Sequence, residues 1–239
     1  MRPYTILSCC MSLDGYLDDA SDRRLLLSND ADFDRVDELR SESDAILVGA
    51  ATVRNDDPRL QIRSADRIAR RRAGGRAPQP IKVTVTKHAE LDPQAQFFTV
   101  GDGPKLVYCS SESLAVATEL LGSRATVVDG GCPVELATVS ADLFERGVRR
   151  LLVEGGGEVH TQYLTEGLAD ELHLVVAPIF VGNAEATRFV GPGSYPFTGH
   201  DRAHLVETRP IGDVVLLRYR VNHPCAADVS TDEALGGQS

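Results

Sequence analysis

The sequence predicts an α/β domain with a mostly parallel central sheet flanked by helices, and with an antiparallel hairpin at its C-terminal end. Short β-type runs alternate with segments of helical periodicity, which is typical of parallel sheets covered on both faces. The last two apolar runs are separated by the turn residues Pro210, Ile211, Gly212 and Asp213, which predicts the hairpin. With 239 residues and 42% hydrophobic content, the chain can bury one large core.

The predicted elements follow from two periodicities. Strands are expected at residues 4–10, 45–48, 81–85, 105–109, 126–128, 150–153, 171–177, 203–209 and 214–221. Helices are expected at residues 30–41, 112–121, 134–146 and 160–167. In the first helix, Phe33, Val36 and Leu39 share one stripe. Asn29 is its expected N-cap, and Asp32 would complete a reciprocal capping pair.

Two segments differ in composition from these elements. Residues 64–79 are rich in Arg, Gly and Pro, and we expect them to form a long exposed loop between two strands. Residues 222–239 contain few apolar side chains and cannot offset their ordering entropy by burial. We therefore expect one domain at residues 1–221, followed by a flexible tail.

The charge distribution narrows the choice of partners. A formal net charge of −10 argues against nucleic acid and anionic membrane surfaces, since both require a broad basic face. Residues 54–76 are the local exception, with eight arginines against three acidic residues. This segment could hold small anionic ligands, although its Arg70, Arg71 and Arg72, followed by two glycines, favour a solvated loop.

The cysteines and the N-terminus favour a cytoplasmic protein. Five cysteines show no paired metal-ligand spacing, and their odd number does not indicate a disulfide framework. Residues 1–11 lack the pattern of a signal peptide, and no apolar run has the length of a membrane span. Asp56 and Asp57 are adjacent, but no third carboxylate or histidine is placed to complete a metal shell, so no metal is expected.

A glycine run after an apolar strand is the first candidate functional motif. Residues 151–157 pass from Leu-Leu-Val to Glu154 and then to three glycines, directly before a predicted helix. Glycines let main-chain N–H groups approach an anion, and the positive end of the helix dipole adds attraction. A tight turn without a ligand explains the pattern equally well.

A second candidate motif covers residues 47–60. A buried strand runs into Gly49, then into one turn of helix, and then into Asp56-Asp57-Pro58. Thr52 supplies a hydroxyl group and Asp56 an acceptor, while Arg59 and Arg63 carry charges suited to phosphate. The combination predicts a phosphate-bearing ligand at the ends of two strands.

Four motifs together resemble a known family. Residues 11–15, 48–60, 152–157 and 177–182 are similar, in order and spacing, to the pyrimidine reductases of riboflavin biosynthesis, which form the C-terminal domain of RibD. The resemblance covers residues 3 to 221, and no zinc-deaminase signature precedes it, as expected for a stand-alone reductase. It implies a dihydrofolate-reductase-like fold, a homodimer, and NADPH-dependent reduction of a phosphoribosylamino-pyrimidine, whose opened ribose becomes a ribityl chain.

The resemblance also implies roles for individual residues. Glu154 would bind sugar hydroxyls near the reacting carbon, and Arg40 and Arg63 would hold the substrate phosphate. Asp56 is the expected proton donor, with bound water as the alternative. The positions that match substrate contacts are Arg40, Leu60, Arg63 and Glu154; those that match cofactor contacts are Thr52, Asp56, Gly156, Gly157, Glu158, Val159, His160, Thr161 and Gln162.

Departures from the family pattern keep alternatives open. Residues 24–28 read Arg-Leu-Leu-Leu-Ser where the family places polar and aromatic or basic residues, which favours a different pterin-like or specialised nucleoside substrate. Lys87 follows the third strand and could pair with the 2′-phosphate of NADPH, or be an exposed strand-end lysine. A non-catalytic nucleotide-binding protein is a further alternative, although the complete set of Thr52, Asp56 and Glu154 argues against it.

Overall fold

Nine strands form one sheet in the computed structural model, which describes residues 1–21 and 25–222. They are β1 (Tyr4–Ser12), β2 (Ala45–Gly49), β3 (Ile81–Thr86), β4 (Lys105–Cys109), β5 (Thr126–Asp129), β6 (Arg150–Gly155), β7 (Glu171–Ala177), β8 (His204–Ile211) and β9 (Val214–Arg220). Their order across the sheet is β5-β4-β3-β2-β6-β1-β7-β9-β8. The pairings from β5 to β7 are parallel, whereas β9 runs antiparallel to both β7 and β8. The mixed α/β class and the C-terminal hairpin are confirmed.

Helices cover both faces of the parallel part of the sheet. They are α1 (Asp30–Glu42), α2 (Ala50–Asp56), α3 (Ala65–Ala73), α4 (Gln96–Thr99), α5 (Leu114–Leu121), α6 (Leu136–Glu145) and α7 (Gly157–Thr165). Alternate residues of a strand point to opposite faces. In β2, Leu47 therefore packs with Val139 of α6 and Tyr163 of α7, while Ile46 packs with Leu39 of α1. The core consists of two apolar layers, one on each side of the sheet.

The start of α1 confirms half of the predicted capping pair. The Asn29 side chain accepts a hydrogen bond from the main-chain N–H of Asp32 at 2.9 Å. The reciprocal half is wrong, because the Asp32 carboxylate accepts instead from Nε of Arg35 at 2.7 Å. Asn29 also donates to the carbonyl oxygen of Ile211 at 2.7 Å, so the helix start is attached to the C-terminal hairpin.

The predicted long loop at residues 64–79 is wrong, because most of it is the helix α3. Ser64 is its N-cap, and Arg67 forms ion pairs with Asp34 and Asp37 of α1 at 2.6 and 3.0 Å. Arginine is a good helix former, and here its charge is matched by a neighbouring acidic helix. Arg71 is also buried rather than solvated, and donates to the main-chain carbonyls of three residues, namely Ser41, Ser43 and Ala77.

The C-terminal hairpin has a shorter turn than predicted. Only Gly212 and Asp213 connect β8 to β9, while Pro210 and Ile211 belong to β8. Gly212 has a φ of +64°, which a glycine adopts without steric strain. Because β8 is the edge strand, the missing N–H of Pro210 does not interrupt the sheet.

The predicted flexible tail falls at residues 223–239, outside the described part of the chain. Its first residue, Asn222, is described, and its side chain donates to the Asp170 carboxylate at 3.2 Å. Residues 22–24 also lie outside the described part, and they include Arg24, the first residue of the segment 24–28 that differs from the family pattern. Among the residues that are described, no helix has the length and apolar character needed to cross a membrane.

Candidate active site

A cavity of about 1000 Å³ opens at the carboxyl ends of β2, β3 and β6. Its walls come from the last residues of these strands, from the first turns of α2 and α7, and from residues 25–28 before α1. Parallel α/β sheets bind their ligands at this edge, because strand ends and helix N-termini converge there. The cavity therefore has the position expected of an active site.

The glycine run forms one wall of the cavity. The first N–H groups of a helix have no intrahelical acceptor, and Gly156, the N-cap of α7, supplies no side-chain acceptor for them. A Cβ atom at Gly156 would lie 3.2 Å from the Thr52 hydroxyl oxygen, so Thr52 faces the run from α2. A Cβ atom at Gly157 would clash with the carbonyl oxygen of Arg188. The run therefore combines close packing with an opening suited to an anion.

Glu154 enters the cavity beside this run and is held by Arg40. Nε and Nη2 of Arg40 donate to the two carboxylate oxygens of Glu154 at 2.7 and 2.6 Å. The remaining Nη1 donates to the carbonyl oxygen of Gln61 at 3.0 Å. The two side chains are only 18% and 11% exposed. This two-point pairing fixes the direction in which the carboxylate faces the cavity.

Arg63 lies at the rim of the same cavity. Its guanidinium group is 5.8 Å from the ring centroid of Phe33, which lines the cavity, and its side chain is 64% exposed. The buried carboxylate of Asp37 accepts the main-chain N–H groups of Arg63 at 2.6 Å and of Ser64 at 3.1 Å. The root of the Arg63 side chain is therefore held in place, and its largely exposed guanidinium group donates to the main-chain carbonyl of Phe33 at 3.2 Å.

The structure brings most of the sequence-predicted site residues together. Those that line the cavity are Thr52, Asp56, Lys87, Glu154, Gly156, Gly157, Glu158, Val159 and Gln162. Arg40, Leu60 and Arg63 lie just outside the lining; Leu60 is buried and precedes the carbonyl that binds Arg40. One wall of the cavity is apolar, because Leu25, Leu26 and Leu27 face it.

His160 and Thr161 lie behind the glycine run instead of in the cavity lining. His160 is fully buried, its ring centroid is 5.5 Å from that of Phe189, and burial lowers its pKa to about 4. The Thr161 hydroxyl group donates to the carbonyl of Gly157 at 2.7 Å and accepts from the N–H of Gly191 at 2.8 Å. Both side chains therefore connect the start of α7 to residues 189–191, on the side of the glycine run that faces away from the cavity.

Two motifs that are distant in sequence meet at Asp14. Its carboxylate accepts from the Ser12 hydroxyl at 2.6 Å and from the N–H groups of Val181 and Gly182, the latter at 2.8 Å. These hydrogen bonds, that of Ser12 first, lower the pKa of Asp14 to about 2. The turn predicted at Asp14-Gly15 is therefore also an anchor for residues 181–182.

The adjacent acids Asp56 and Asp57 have different surroundings. Asp56 lines the cavity, whereas Asp57 accepts from the main-chain N–H and the side-chain amide of Gln96 at 2.6 and 2.9 Å. Within the described ranges, no group of three potential metal ligands occurs. Sequence reasoning did not assign Arg54 and His88 to the site, although both line the cavity. His88 belongs to no motif, whereas Arg54 lies within the motif at residues 47–60 and begins the basic segment at residues 54–76.

Comparison with known proteins identifies the family. The model of the RibD C-terminal domain matches residues 3–217. The 2,5-diamino-6-ribosylamino-4(3H)-pyrimidinone 5′-phosphate reductase of Archaeoglobus fulgidus is 36% identical over 78% of this chain and 85% of its own length. The enzyme of the same name from Methanothermobacter thermautotrophicus is 33% identical over 92% of this chain and 99% of its own.

A solved structure supports the fold independently. The pyrimidine reductase-like protein of Corynebacterium diphtheriae superposes with a TM-score of 0.77 and 23% identity, and the match covers 93% of both chains. By sequence match over nearly its full length, the chain belongs to the RibD C-terminal domain family.

Proposed function

We propose that the protein is an NADPH-dependent reductase of riboflavin biosynthesis. Its substrate is a 5-amino-6-(5-phosphoribosylamino)pyrimidine, and its product is the corresponding ribitylamino compound. The observation that carries the proposal is the Arg40–Glu154 pair, which directs a carboxylate into a cavity beside the glycine run. The names of the relatives at 36% and 33% identity support the same reaction.

The glycine wall suits the diphosphate of a nicotinamide cofactor. Gly156 supplies no side-chain acceptor at the start of α7, so the first N–H groups of the helix are available as donors for phosphate oxygens. Thr52 and Gln162 border the same space. When bound, the cofactor supplies a hydride. The protein contributes the alignment of the two reactants and the exclusion of water.

The substrate sugar is proposed to lie against Glu154. Its carboxylate accepts hydrogen bonds from sugar hydroxyls next to C1′, which is presented as an imine-like carbon. C1′ gains the hydride and the neighbouring nitrogen gains a proton, so the C=N bond becomes a C–N single bond. Asp56 lines the cavity and is the proposed proton donor, with bound water as the alternative.

The substrate phosphate is proposed to bind at the rim. Arg63 has an exposed guanidinium group there and carries the direct contact. Arg40 adds positive charge behind it, although its hydrogen bonds are already made to Glu154 and Gln61. Gln61, whose carbonyl binds Arg40, lies two residues before Arg63, so the two arginines are placed by α1 and by the segment after α2.

The oligomeric state and the compartment are part of the same proposal. We propose a homodimer, supported by exposed apolar side chains on the hairpin, where Leu205, Val206 and Val215 are 48%, 43% and 39% exposed. We also propose a cytoplasmic location, which suits the unpaired thiols of Cys9, Cys10, Cys109 and Cys132.

A second candidate substrate is favoured by one observation. Leu25, Leu26 and Leu27 make one wall of the cavity apolar where a polar base contact is expected for the family substrate. A reductase acting on another pterin-like or specialised nucleoside compound would accommodate that wall. A non-catalytic nucleotide-binding protein is disfavoured, because it would not need the buried Arg40–Glu154 pair.

An NADPH-oxidation assay tests the proposal. The 2-amino and 2-oxo forms of the phosphoribosylamino-pyrimidine are compared with dihydrofolate, and NADH replaces NADPH in a parallel series. Turnover of one pyrimidine and not of dihydrofolate is the expected result. Absence of pyrimidine turnover by a protein that still binds NADPH would overturn the assignment.

Two variants test the proposed roles. Arg63→Met raises KM for the pyrimidine by about tenfold, as expected for a lost phosphate contact, with little change in kcat. Glu154→Gln lowers kcat by at least about tenfold, because the carboxylate lies at the reacting carbon. Arg72→Met is the matched control, since Arg72 is exposed at the end of α3 and does not line the cavity. Unchanged kinetics in both site variants would remove these residues from the site.

A further inference from the structure

Asn29 connects the start of α1 to the C-terminal hairpin. Its Nδ2 carries two hydrogens and donates to the carbonyl oxygen of Ile211 and to Oδ1 of Asp213, each at 2.7 Å. Its Oδ1 accepts the N–H of Asp32 as the cap of the helix. One side chain therefore caps α1 and binds the turn between β8 and β9.

The turn accommodates this contact because its first residue is glycine. A Cβ atom at Gly212 would lie only 2.8 Å from Nδ2 of Asn29. The φ of +64° at the same residue also favours glycine. The two residues of the turn therefore divide the contact: Gly212 leaves space for the amide, and Asp213 supplies an acceptor.

The residues just before Asn29 form the apolar wall of the cavity, which we call the leucine wall (Leu25, Leu26 and Leu27). They belong to no helix or strand. Within the described residues, no hydrogen bond joins their main chain to another main-chain group. Side-chain packing and the attachment at Asn29 therefore determine where the wall lies.

The hairpin also contacts the leucine wall directly. Leu27 packs against an apolar cluster that includes Val175, Ile211 and Val214, from β7, β8 and β9. Leu26, by contrast, lines the cavity and is 67% exposed. The hairpin thus holds the wall from behind, and Leu26 offers apolar surface that a ligand can cover.

The chemistry of the wall indicates which part of a substrate it fits. An aminopyrimidine has polar groups along its ring edge and none on its two faces. Edge groups placed against leucine would lose their hydrogen bonds to water without replacement, which is costly. A ring face loses none, and it removes apolar leucine surface from water.

We propose that Asn29 and Asp213 are positioning residues, which hold the leucine wall where it packs on the face of the substrate's pyrimidine ring. The inference rests on the proposed function and deepens it, because it assigns the ring to this wall. Neither residue is part of the cavity lining, so the hairpin influences substrate affinity from outside the cavity. If the wall is in place in about a tenth of the molecules, the apparent Kd rises about tenfold.

Asn29→Ser tests the contact while keeping the helix cap. Serine caps helices about as well as asparagine but has no amide to donate to the hairpin. We expect KM for the phosphoribosylamino-pyrimidine to rise about tenfold, with kcat and the Kd for NADPH within about twofold of wild type. Glu207→Gln is the matched control, since this carboxylate of the same hairpin binds Arg209 and Arg218 rather than α1. It leaves KM unchanged.

A rescue experiment separates direct pairing from a general loss of stability. Asn29→Asp also keeps the cap, but it sets a second carboxylate against that of Asp213, and KM rises at least about tenfold. Adding Asp213→Asn lets an amide donate from the hairpin side instead. One of the two hydrogen bonds is then restored, and KM falls again by about threefold.

Fluorescence measures the position of the wall without any substrate. The chain contains no tryptophan, so Leu26→Trp provides a single reporter in the leucine wall. In this background, Asn29→Ser and Asn29→Asp are expected to raise the amplitude of nanosecond motion in time-resolved anisotropy at least about twofold. Glu207→Gln leaves that amplitude unchanged.

The outcomes separate the positioning role from the proposed reaction. An unchanged anisotropy in both Asn29 variants, or no decrease in KM when Asp213→Asn is added to Asn29→Asp, overturns the positioning role. Increased motion with an unchanged KM overturns the assignment of the ring to the leucine wall. A wild-type protein that binds NADPH but turns over no pyrimidine rejects the proposed function, and the anisotropy comparison alone then decides on the positioning role.

Discussion

Replacing Glu154 with glutamine perturbs the ion pair that directs the cavity carboxylate. The change keeps the side-chain volume, but it removes the negative charge and one of the two carboxylate oxygens that accept from Arg40. Breaking a buried pair costs about 3–5 kcal/mol. Because Arg40 remains 18% exposed and bonded to Gln61, and because glutamine keeps one acceptor, we expect a cost below this range, of about 2 kcal/mol. For a chain of this size, Tm then falls by about 4–8 °C.

A double-mutant cycle measured by urea unfolding isolates the pairwise energy. Arg40→Met and Glu154→Gln each destabilise the protein, and the double variant costs about 2 kcal/mol less than the sum of the two. Glu42→Gln is the control, because Glu42 is 49% exposed and pairs with Arg150 at 3.3 Å, a surface contact worth less than about 1 kcal/mol. Additive effects of Arg40→Met and Glu154→Gln, within about 0.5 kcal/mol, would refute the conclusion that Arg40 positions Glu154.

Three further predictions concern the stability of the folded protein. Acidification from pH 6.5 to 4 lowers the free energy of unfolding by about 3 kcal/mol, because burial lowers the pKa of His160 to about 4 and the unfolded chain therefore binds the proton at a higher pH than the folded one. The variant His160→Met does not show this loss. If the free energies of unfolding of wild type and variant depend on pH in the same way, the prediction is contradicted. Gly157→Ala costs at least about 2 kcal/mol in urea unfolding, because its Cβ meets a main-chain carbonyl, whereas Gly74→Ala, with nothing nearer than 3.5 Å, stays within about 1 kcal/mol. Arg71→Met leaves three main-chain carbonyls without a donor, which costs about 3 kcal/mol and lowers Tm by about 6–12 °C. If Arg71→Met lowers Tm no more than Arg72→Met does, Arg71 does not stabilise the fold through these hydrogen bonds.

The sheet could be predicted because its information is local. Each buried strand is a short apolar run, such as β2 at Ala45–Gly49, and turn residues such as Gly212 separate the runs. Helix α3 was missed for the opposite reason. Arg67 is matched by Asp34 and Asp37, about 30 residues earlier in the chain, and a composition rich in Arg, Gly and Pro does not show that pairing.

The candidate site could be predicted where a motif marks the end of a strand. It could not be predicted where the direction of a helical side chain, or the order of strands in the sheet, determines which residues line the cavity. The glycine run and Thr52 lie at the cavity as expected. His160 is polar yet points into the core, because α7 begins at Gly157 and turns that position inward. Arg54 and His88 line the same cavity because β2 and β3 are adjacent in the sheet, and a single sequence does not show that adjacency.

The Asp37 carboxylate has a consequence for the entropy of ligand binding. By accepting the N–H groups of Arg63 and Ser64, it orders the main chain at the cavity rim before any ligand arrives. Fixing one residue of backbone costs about 1–2 kcal/mol, which is already spent in the folded protein. A phosphate bound by Arg63 therefore restricts only the rotamers of one exposed side chain. A weak electrostatic contact at the surface can then contribute to affinity in a way that the same arginine on a mobile loop could not.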